Sequence, residues 1–205
     1  QLANLILLRQ MNRNPEKKSK AEASWRLFQI SFALVVIGDL DEDRTGSHCA
    51  DLLWFPTGGG KTEAYLFLVA YEMVYRRLSA AGLDDGVVAL SRYSLRLLTS
   101  QQFQRAAALM VAAELIRKQK PELGNKPFEV GLPVGQDASP RDIEAVEKKF
   151  APAWRSGDSE LPIPYCVWCA QRYSVFANEL DPRNSFFVGQ DDVTIMCRNS
   201  ACEIV

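Results

Sequence analysis

The chain has 205 residues, 47% apolar and 24% charged, enough for one sizeable domain with an appendage. Its net charge of −1 excludes a chain-wide basic field, so any nucleic-acid contact must come from a local patch. The basic run Arg13, Lys17, Lys18 and Lys20 is one candidate, though it reads first as a solvated arm. No apolar run reaches the roughly 20 residues needed to span a bilayer, and residues 1–10 lack the basic start and small-residue cleavage site of a signal peptide. A cytoplasmic location with no membrane partner is expected.

In chain order, residues 1–20 read as an apolar helix and a basic linker around Asn12-Arg13-Asn14-Pro15, which makes 1–24 an N-terminal arm. An apolar stretch, helical or buried, follows Trp25-Arg26-Leu27-Phe28-Gln29-Ile30-Ser31-Phe32 and ends near Gly38. Residues 39–48 are acidic and polar, hence a loop. Residues 50–55 form the first expected strand. Residues 62–80 are apolar almost all round, the pattern of a helix buried on several sides, and Gly82 stops it. A second short strand is expected at 86–90. A helix follows from about 95 to 119, with Leu98, Phe103, Ala106, Ala107, Leu109, Met110, Ala113 and Ile116 inward. A third strand at 128–134 closes at Gly135. Ser139 caps a helix that runs to about Phe150, with Pro140 in its first turn. Proline-rich 152–164 is the main boundary, and short strands at 172–176, 186–188 and 193–196 lie among the cysteines. The order is an α/β signature with a parallel sheet, and ligands of such sheets bind at the carboxyl ends of strands. A lobe over 25–155 and a cysteine-rich module over 156–205 are expected.

The run Leu52-Leu53-Trp54-Phe55-Pro56-Thr57-Gly58-Gly59-Gly60-Lys61-Thr62 joins a strand to a helix. Glycines let backbone N–H groups turn inward around an anion, and the helix N-terminus adds partial positive charge. Thr57, Gly58, Gly59 and Gly60 therefore read as a phosphate cradle for ATP. Lys61 reaches the β- and γ-phosphates, and the Thr62 hydroxyl ligates Mg²⁺. Phe55 stands where such loops usually open with Gly or Ala. An apolar residue before Pro-Thr-Gly-x-Gly-Lys-Thr resembles motif I of superfamily 2 helicases and translocases. That resemblance implies a RecA-like lobe.

A second run, Leu90-Ser-Arg92-Tyr-Ser-Leu-Arg96-Leu-Leu-Thr99-Ser-Gln-Gln102-Phe-Gln-Arg105, follows a strand and opens a helix. It resembles helicase motif Ia, which grips the sugar-phosphate backbone of one strand. A helix start, a hydroxyl and arginines all favour phosphate. Arg96, Thr99 and Gln102, supported by Arg92, are the expected DNA contacts; alone, the arginines would read as partners of carboxylates or solvent. Superfamily 2 proteins often carry a glutamine upstream of motif I that reads the adenine edge. Arg26-x-Phe28-Gln29 resembles those forms, and a purely structural role for Gln29 stands beside that reading.

Cys166-Val-Trp-Cys169 and Cys197-Arg-Asn-Ser-Ala-Cys202 are separated by 27 residues. Four of the five cysteines in two close pairs suit tetrahedral Zn²⁺ in a zinc-ribbon-like module, against the plainer reading of free thiols. Four thiolates leave no open position, so the site is structural. Cys49 reads as a core residue, and His48 as an ordinary loop histidine. Val35-Val36-Ile37-Gly38-Asp39-Leu40-Asp41-Glu42-Asp43 imitates a Walker B strand but precedes the phosphate loop, so it reads as an acidic surface loop. No apolar strand ending in Asp-Glu follows Gly60. The chain is expected to bind nucleotide, to turn it over poorly by itself, and to be the front part of a longer enzyme cut before motif II.

Taken together, Phe55-Pro-Thr-Gly-Gly-Gly-Lys-Thr-Glu-Ala-Tyr65, the 92–105 run and Cys166-Val-Trp-Cys169 resemble the helicase component of the bacterial DISARM anti-phage system. Residues 25–32 and 128–135 fit the same pattern, and Ala170 departs from it where glycine is usual. The resemblance implies a DNA-dependent ATPase that loads on DNA with single-stranded or unpaired ends and works with a partner subunit of a DISARM-type complex. A P-loop ATPase that remodels protein, a non-catalytic zinc and nucleic-acid-binding module, and a helicase acting on RNA are the alternatives.

Overall fold

Apolar residues at positions 3, 6 and 7, with Gln10 one turn on, fall on one stripe of a helix. In the computed structural model they are the buried residues of α1 (Leu2–Met11), and the Arg13 guanidinium closes its end on the Gln10 carbonyl at 2.8 Å. The structure describes residues 1–13, 24–41, 50–56, 58–79, 86–93, 96–133, 142, 144–145, 163–174, 184–189 and 192–204; for 39, 41, 96–100 and 188 it describes the backbone only. Two compact units divide the chain: residues 1–92 with 109–128, and residues 93–108 with 129–205. The expected boundary at 152–164 falls almost wholly outside the described residues.

In the first unit, α2 (Leu27–Asp41) runs past Gly38, so residues 39–41, expected as loop, are helical. The helix α3 (Lys61–Leu78) starts at the lysine of the phosphate loop and packs against both α1 and α2. It buries Ala64, Leu66, Ala70, Met73 and Val74, and Glu72 is paired with Arg76 one turn on at 2.7 Å. Glu63 in its first turn and Arg76 and Arg77 in its last complement the helix dipole. Trp25 ties the entry of α2 to both neighbours: its indole N–H donates to Asn4 Oδ1 at 3.0 Å, and its ring meets Phe67 edge-on at 5.0 Å.

The long helix α4 (Arg96–Arg117) lies where the periodicity put it, with Ala107, Ala108, Leu109, Met110, Ala112, Ala113 and Ile116 buried. Near its end Glu114 takes a bidentate pair of hydrogen bonds from Arg117 and a third from the Phe128 N–H. A 3-10 turn (Pro121–Leu123) then buries Leu123. The Arg77 guanidinium lies over the Phe128 ring at 4.7 Å and donates to the Pro127 carbonyl.

Three strands were expected upstream of residue 135. Residues 50–56, 86–93 and 128–133 carry no regular secondary structure and pair with no strand among the described residues, and 134 lies outside them. A buried parallel strand needs neighbours to satisfy its backbone and cover its side chains. Here Leu52 is 89% exposed and Trp54 85% exposed. The helix expected from Ser139 lies largely outside the described residues. Within it, the Asp142 carboxylate accepts from the Ala145 N–H at 2.7 Å, an N-cap contact.

In the second unit, β1 (Phe186–Val188) and β2 (Val193–Ile195) pair antiparallel, Phe186 opposite Ile195, where short strands were expected. Tyr165 and Arg172 form an isolated antiparallel bridge.

Candidate functional site

The loop before α3 is built by short-range contacts. The Gly59 N–H donates to the Pro56 carbonyl at 3.2 Å, closing a turn. Gly60, the residue before the helix, has φ 93°, a left-handed conformation that side chains resist. A Cβ at Gly60 would fall 2.6 Å from Gln29 Nε2, and one at Gly59 would fall 2.7 Å from the Phe55 ring. Space therefore favours glycine at both positions, and at Gly60 the backbone angle does so too. Lys61 folds back over the loop: its Nζ donates to the Phe55 carbonyl and, at 3.3 Å, to the Pro56 carbonyl. Thr62 follows in the first turn of α3, half-buried. Thr57 lies outside the described residues.

The start of α2 grips this loop. Arg26 donates to the Gly59 carbonyl at 2.9 Å, and the buried Gln29 donates through Nε2 to the Gly60 carbonyl at 2.8 Å. Gln29 Oε1 accepts from the Arg26 backbone N–H at 2.8 Å, the reach-back half of a capping box. Phe28 stacks on Phe55 at 3.9 Å between centroids. The sequence offers Gln29 both an adenine-edge role and a structural one, and gives Arg26 no role. The signal that could have found the arrangement is the spacing: a glutamine three residues after the position preceding a helix is a capping pattern.

Of the expected DNA contacts, Arg92 is exposed beyond 86–91. Arg96 and Thr99 lie in the first turn of α4, and their side chains are outside the described residues. Gln102 is half-buried, and its Oε1 has no hydrogen-bond partner among the described residues.

The four cysteines of the two pairs converge. The sulfurs of Cys166, Cys169, Cys197 and Cys202 all lie within 4.8 Å of one another. Cys169 and Cys197 are 3.6 Å apart, and Cys166 and Cys202 4.0 Å. A tetrahedron with Zn–S of about 2.3 Å places its sulfurs about 3.8 Å apart, so the donor set fits zinc. Each pair sits in a tight turn: the Ala170 N–H donates to the Cys166 carbonyl at 2.9 Å, and the Cys202 N–H to the Asn199 carbonyl at 2.8 Å. Ala170, in the position usually held by glycine, has φ 62°. The buried Trp168 donates its indole N–H to Glu203 at 2.9 Å, tying the two turns together; sequence reading missed this brace. Arg198 lies over the Phe187 ring at 4.9 Å and donates to the Asn184 carbonyl.

Burial pushes the Cys197 thiol up to about 11 and the Cys202 thiol higher still, with neighbouring thiols adding to both. Burial acts upward on Cys169 too, but the Gln171 N–H and hydrogen bonds from Cys197, Asn199 and Cys202 outweigh it and lower that thiol. Burial beside the same sulfurs raises the Tyr173 phenol. Four sulfurs this close together could hold a metal ion, whose charge would favour their thiolate forms.

No protein-family model matches the chain. Over 131 residues, 61% of its length, the chain is 42% identical to a protein of Bacillus paralicheniformis described as DISARM protein DrmA. The matched stretch is 12% of that protein, so the chain spans only a small part of its relative's length. Among the described residues no helix is long and apolar enough to cross a membrane.

Proposed function

We propose that the chain forms part of an ATP-dependent superfamily 2 DNA helicase or translocase in bacterial anti-phage defence, binding ATP–Mg²⁺ and the DNA backbone. One observation carries the reading. The carbonyls of Gly59 and Gly60 are held toward α2, immediately before the N-terminus of α3 with Lys61 as its first residue. In a trans peptide the following N–H points the opposite way. The donors of Gly60 and Lys61 are thus set on the side away from α2, where an anion would meet them and the helix dipole together. Similarity to the DISARM protein supports the defence role.

In this reading Lys61 leaves the Phe55 and Pro56 carbonyls for the β- and γ-phosphates, with Gly58, Gly59 and Gly60 around them. The Thr62 hydroxyl would hold Mg²⁺, which neutralises phosphate charge when bound. Arg92, Arg96, Thr99 and Gln102 would take the DNA backbone. Residues 50–56 and 86–93 would become strands of a RecA-like parallel sheet, with neighbouring strands covering Leu52, Trp54, Val87 and Leu90. Cys166, Cys169, Cys197 and Cys202 would hold Zn²⁺ as a closed structural site, bracing a DNA channel or a partner subunit of a DISARM-type complex.

The test is equilibrium binding of fluorescent ATP with Mg²⁺. Losing a charged hydrogen-bond donor, Lys61→Ala should weaken binding about tenfold or more. Unchanged binding would overturn the reading. Single-stranded DNA, RNA and an unfolded protein are then compared as partners; DNA preferred, and weakened by Arg96→Ala, separates a DNA motor from an RNA helicase or a protein remodeller.

A further inference from the structure

The Gln29 amide offers two N–H donors and an oxygen with two lone pairs, and one of each is already engaged. Oε1 accepts from the Arg26 N–H, a pure donor, and Nε2 donates to the Gly60 carbonyl, a pure acceptor. That pairing fixes which amide atom is which without ambiguity. The side chain is 5% exposed, and Gly60 approaches it so closely that a Cβ would lie 2.6 Å from Nε2. A residue that reads adenine must offer one donor and one acceptor together to the base edge. The second N–H and second lone pair sit on a residue withdrawn from solvent, and swinging the amide outward to a base would break the capping contact on α2 and the bond to the loop.

The engaged atoms instead act on the loop. Two side-chain donors from adjacent turns of chain, Arg26 and Gln29, pull successive carbonyls, Gly59 and Gly60, to one side. Because each peptide is planar and trans, this rotates the N–H groups of Gly60 and Lys61 to the other side. The loop is thereby organised before any ligand arrives, which removes an ordering cost from binding.

We propose that Gln29 and Arg26 are positioning residues that pre-set the phosphate-loop donors, and that Gln29 leaves the nucleobase unread. The inference rests on the phosphate-loop reading of residues 56–62. The experiment measures binding of ATP, GTP and inorganic tripolyphosphate, the last having no base, to the wild-type chain and to Gln29→Met and Arg26→Ala. Each variant should lose affinity for all three ligands by a factor common to the three, about fivefold for the neutral bond of Gln29 and about tenfold or more for the charged bond of Arg26, so that the ATP/GTP ratio stays at its wild-type value. A third variant, Gln29→Glu, keeps the acceptor for the Arg26 N–H but loses the donor to Gly60. With a carboxylate oxygen facing the Gly60 carbonyl it should lower the Tm and lose at least as much tripolyphosphate binding as Gln29→Met. Arg26 is exposed, so its variant remains informative should a change at buried Gln29 prevent folding. Loss confined to ATP with tripolyphosphate untouched, or no loss in any variant, overturns the inference and leaves the loop reading intact. Failure of the wild-type chain to bind any of the three overturns the loop reading, and this inference with it.

Discussion

Ala170 occupies a backbone conformation, φ 62°, in which a Cβ crowds the neighbouring carbonyl. It is held there because its N–H must reach the Cys166 carbonyl to close the turn that presents Cys166 and Cys169. Glycine would adopt the same angle without the steric cost, while losing more entropy on folding. Ala170→Gly is expected to stabilise the chain by about 0.5–1 kcal/mol net, read as a higher denaturation midpoint with an unchanged slope. A lower midpoint would show that the Ala170 methyl is better packed than its angle suggests. The cysteines and the glycine run were legible as a sequence because their spacing is local. The contact that Gln29 makes was legible only as one of two alternatives. An amide reads a base or a carbonyl with the same two atoms, and only the fold places Gly60 against it.

At the scale of elements, α3 and α4 were found nearly to the residue, since a 3.6-residue apolar period and a glycine-rich start are written in consecutive positions. The strands expected at 50–55, 86–90 and 128–134 depend on partners far along the chain, which no local pattern supplies. The turn after α4 depends on a distant contact in the same way, made by one side chain. Glu114 joins the last turn of α4 to Phe128, accepting from Arg117 and from the Phe128 N–H. Burial acts to raise the Glu114 carboxyl, but Arg117, the Phe128 N–H and the charge of Lys118 outweigh it and hold it below the usual carboxylate range. A lowered folded pKa stabilises the protein above the unfolded value of about 4.3, and that contribution is lost as pH falls through the folded value. Glu114→Gln should therefore be destabilising at pH 7. Its difference from wild type should shrink below about pH 4, where the wild-type carboxyl protonates. Urea melts at pH 7 and pH 3.5 check this, and a difference independent of pH would show that Glu114 acts through shape alone.

Over the whole molecule, the two units draw on different sources of stability. The first has helices that bury apolar faces on one another, α1 and α2 against α3. Among the described residues, the thiol module offers two strands of three residues, one isolated bridge and a small buried set of Cys166, Trp168, Tyr173, Phe186, Cys197 and Cys202. Small folds of this kind lean on a metal, and structural zinc contributes on the order of 10 kcal/mol to folding. The four sulfurs lie within reach of one ion, and the Trp168–Glu203 contact is too weak to replace it. The purified chain should thus carry one zinc per molecule. Stripping it with a chelator should unfold the module while α1 to α3 persist. Hydrogen exchange reads both halves at once: the amides of Cys166, Ala170, Tyr173 and Cys202, all hydrogen-bonded in the folded module, should lose about a hundredfold or more of protection, while those of α3 keep theirs. Cys202→Ser should reproduce the effect without chelator. Protection of those four amides that survives both treatments would mean the thiols pack as ordinary core residues and the module folds without metal.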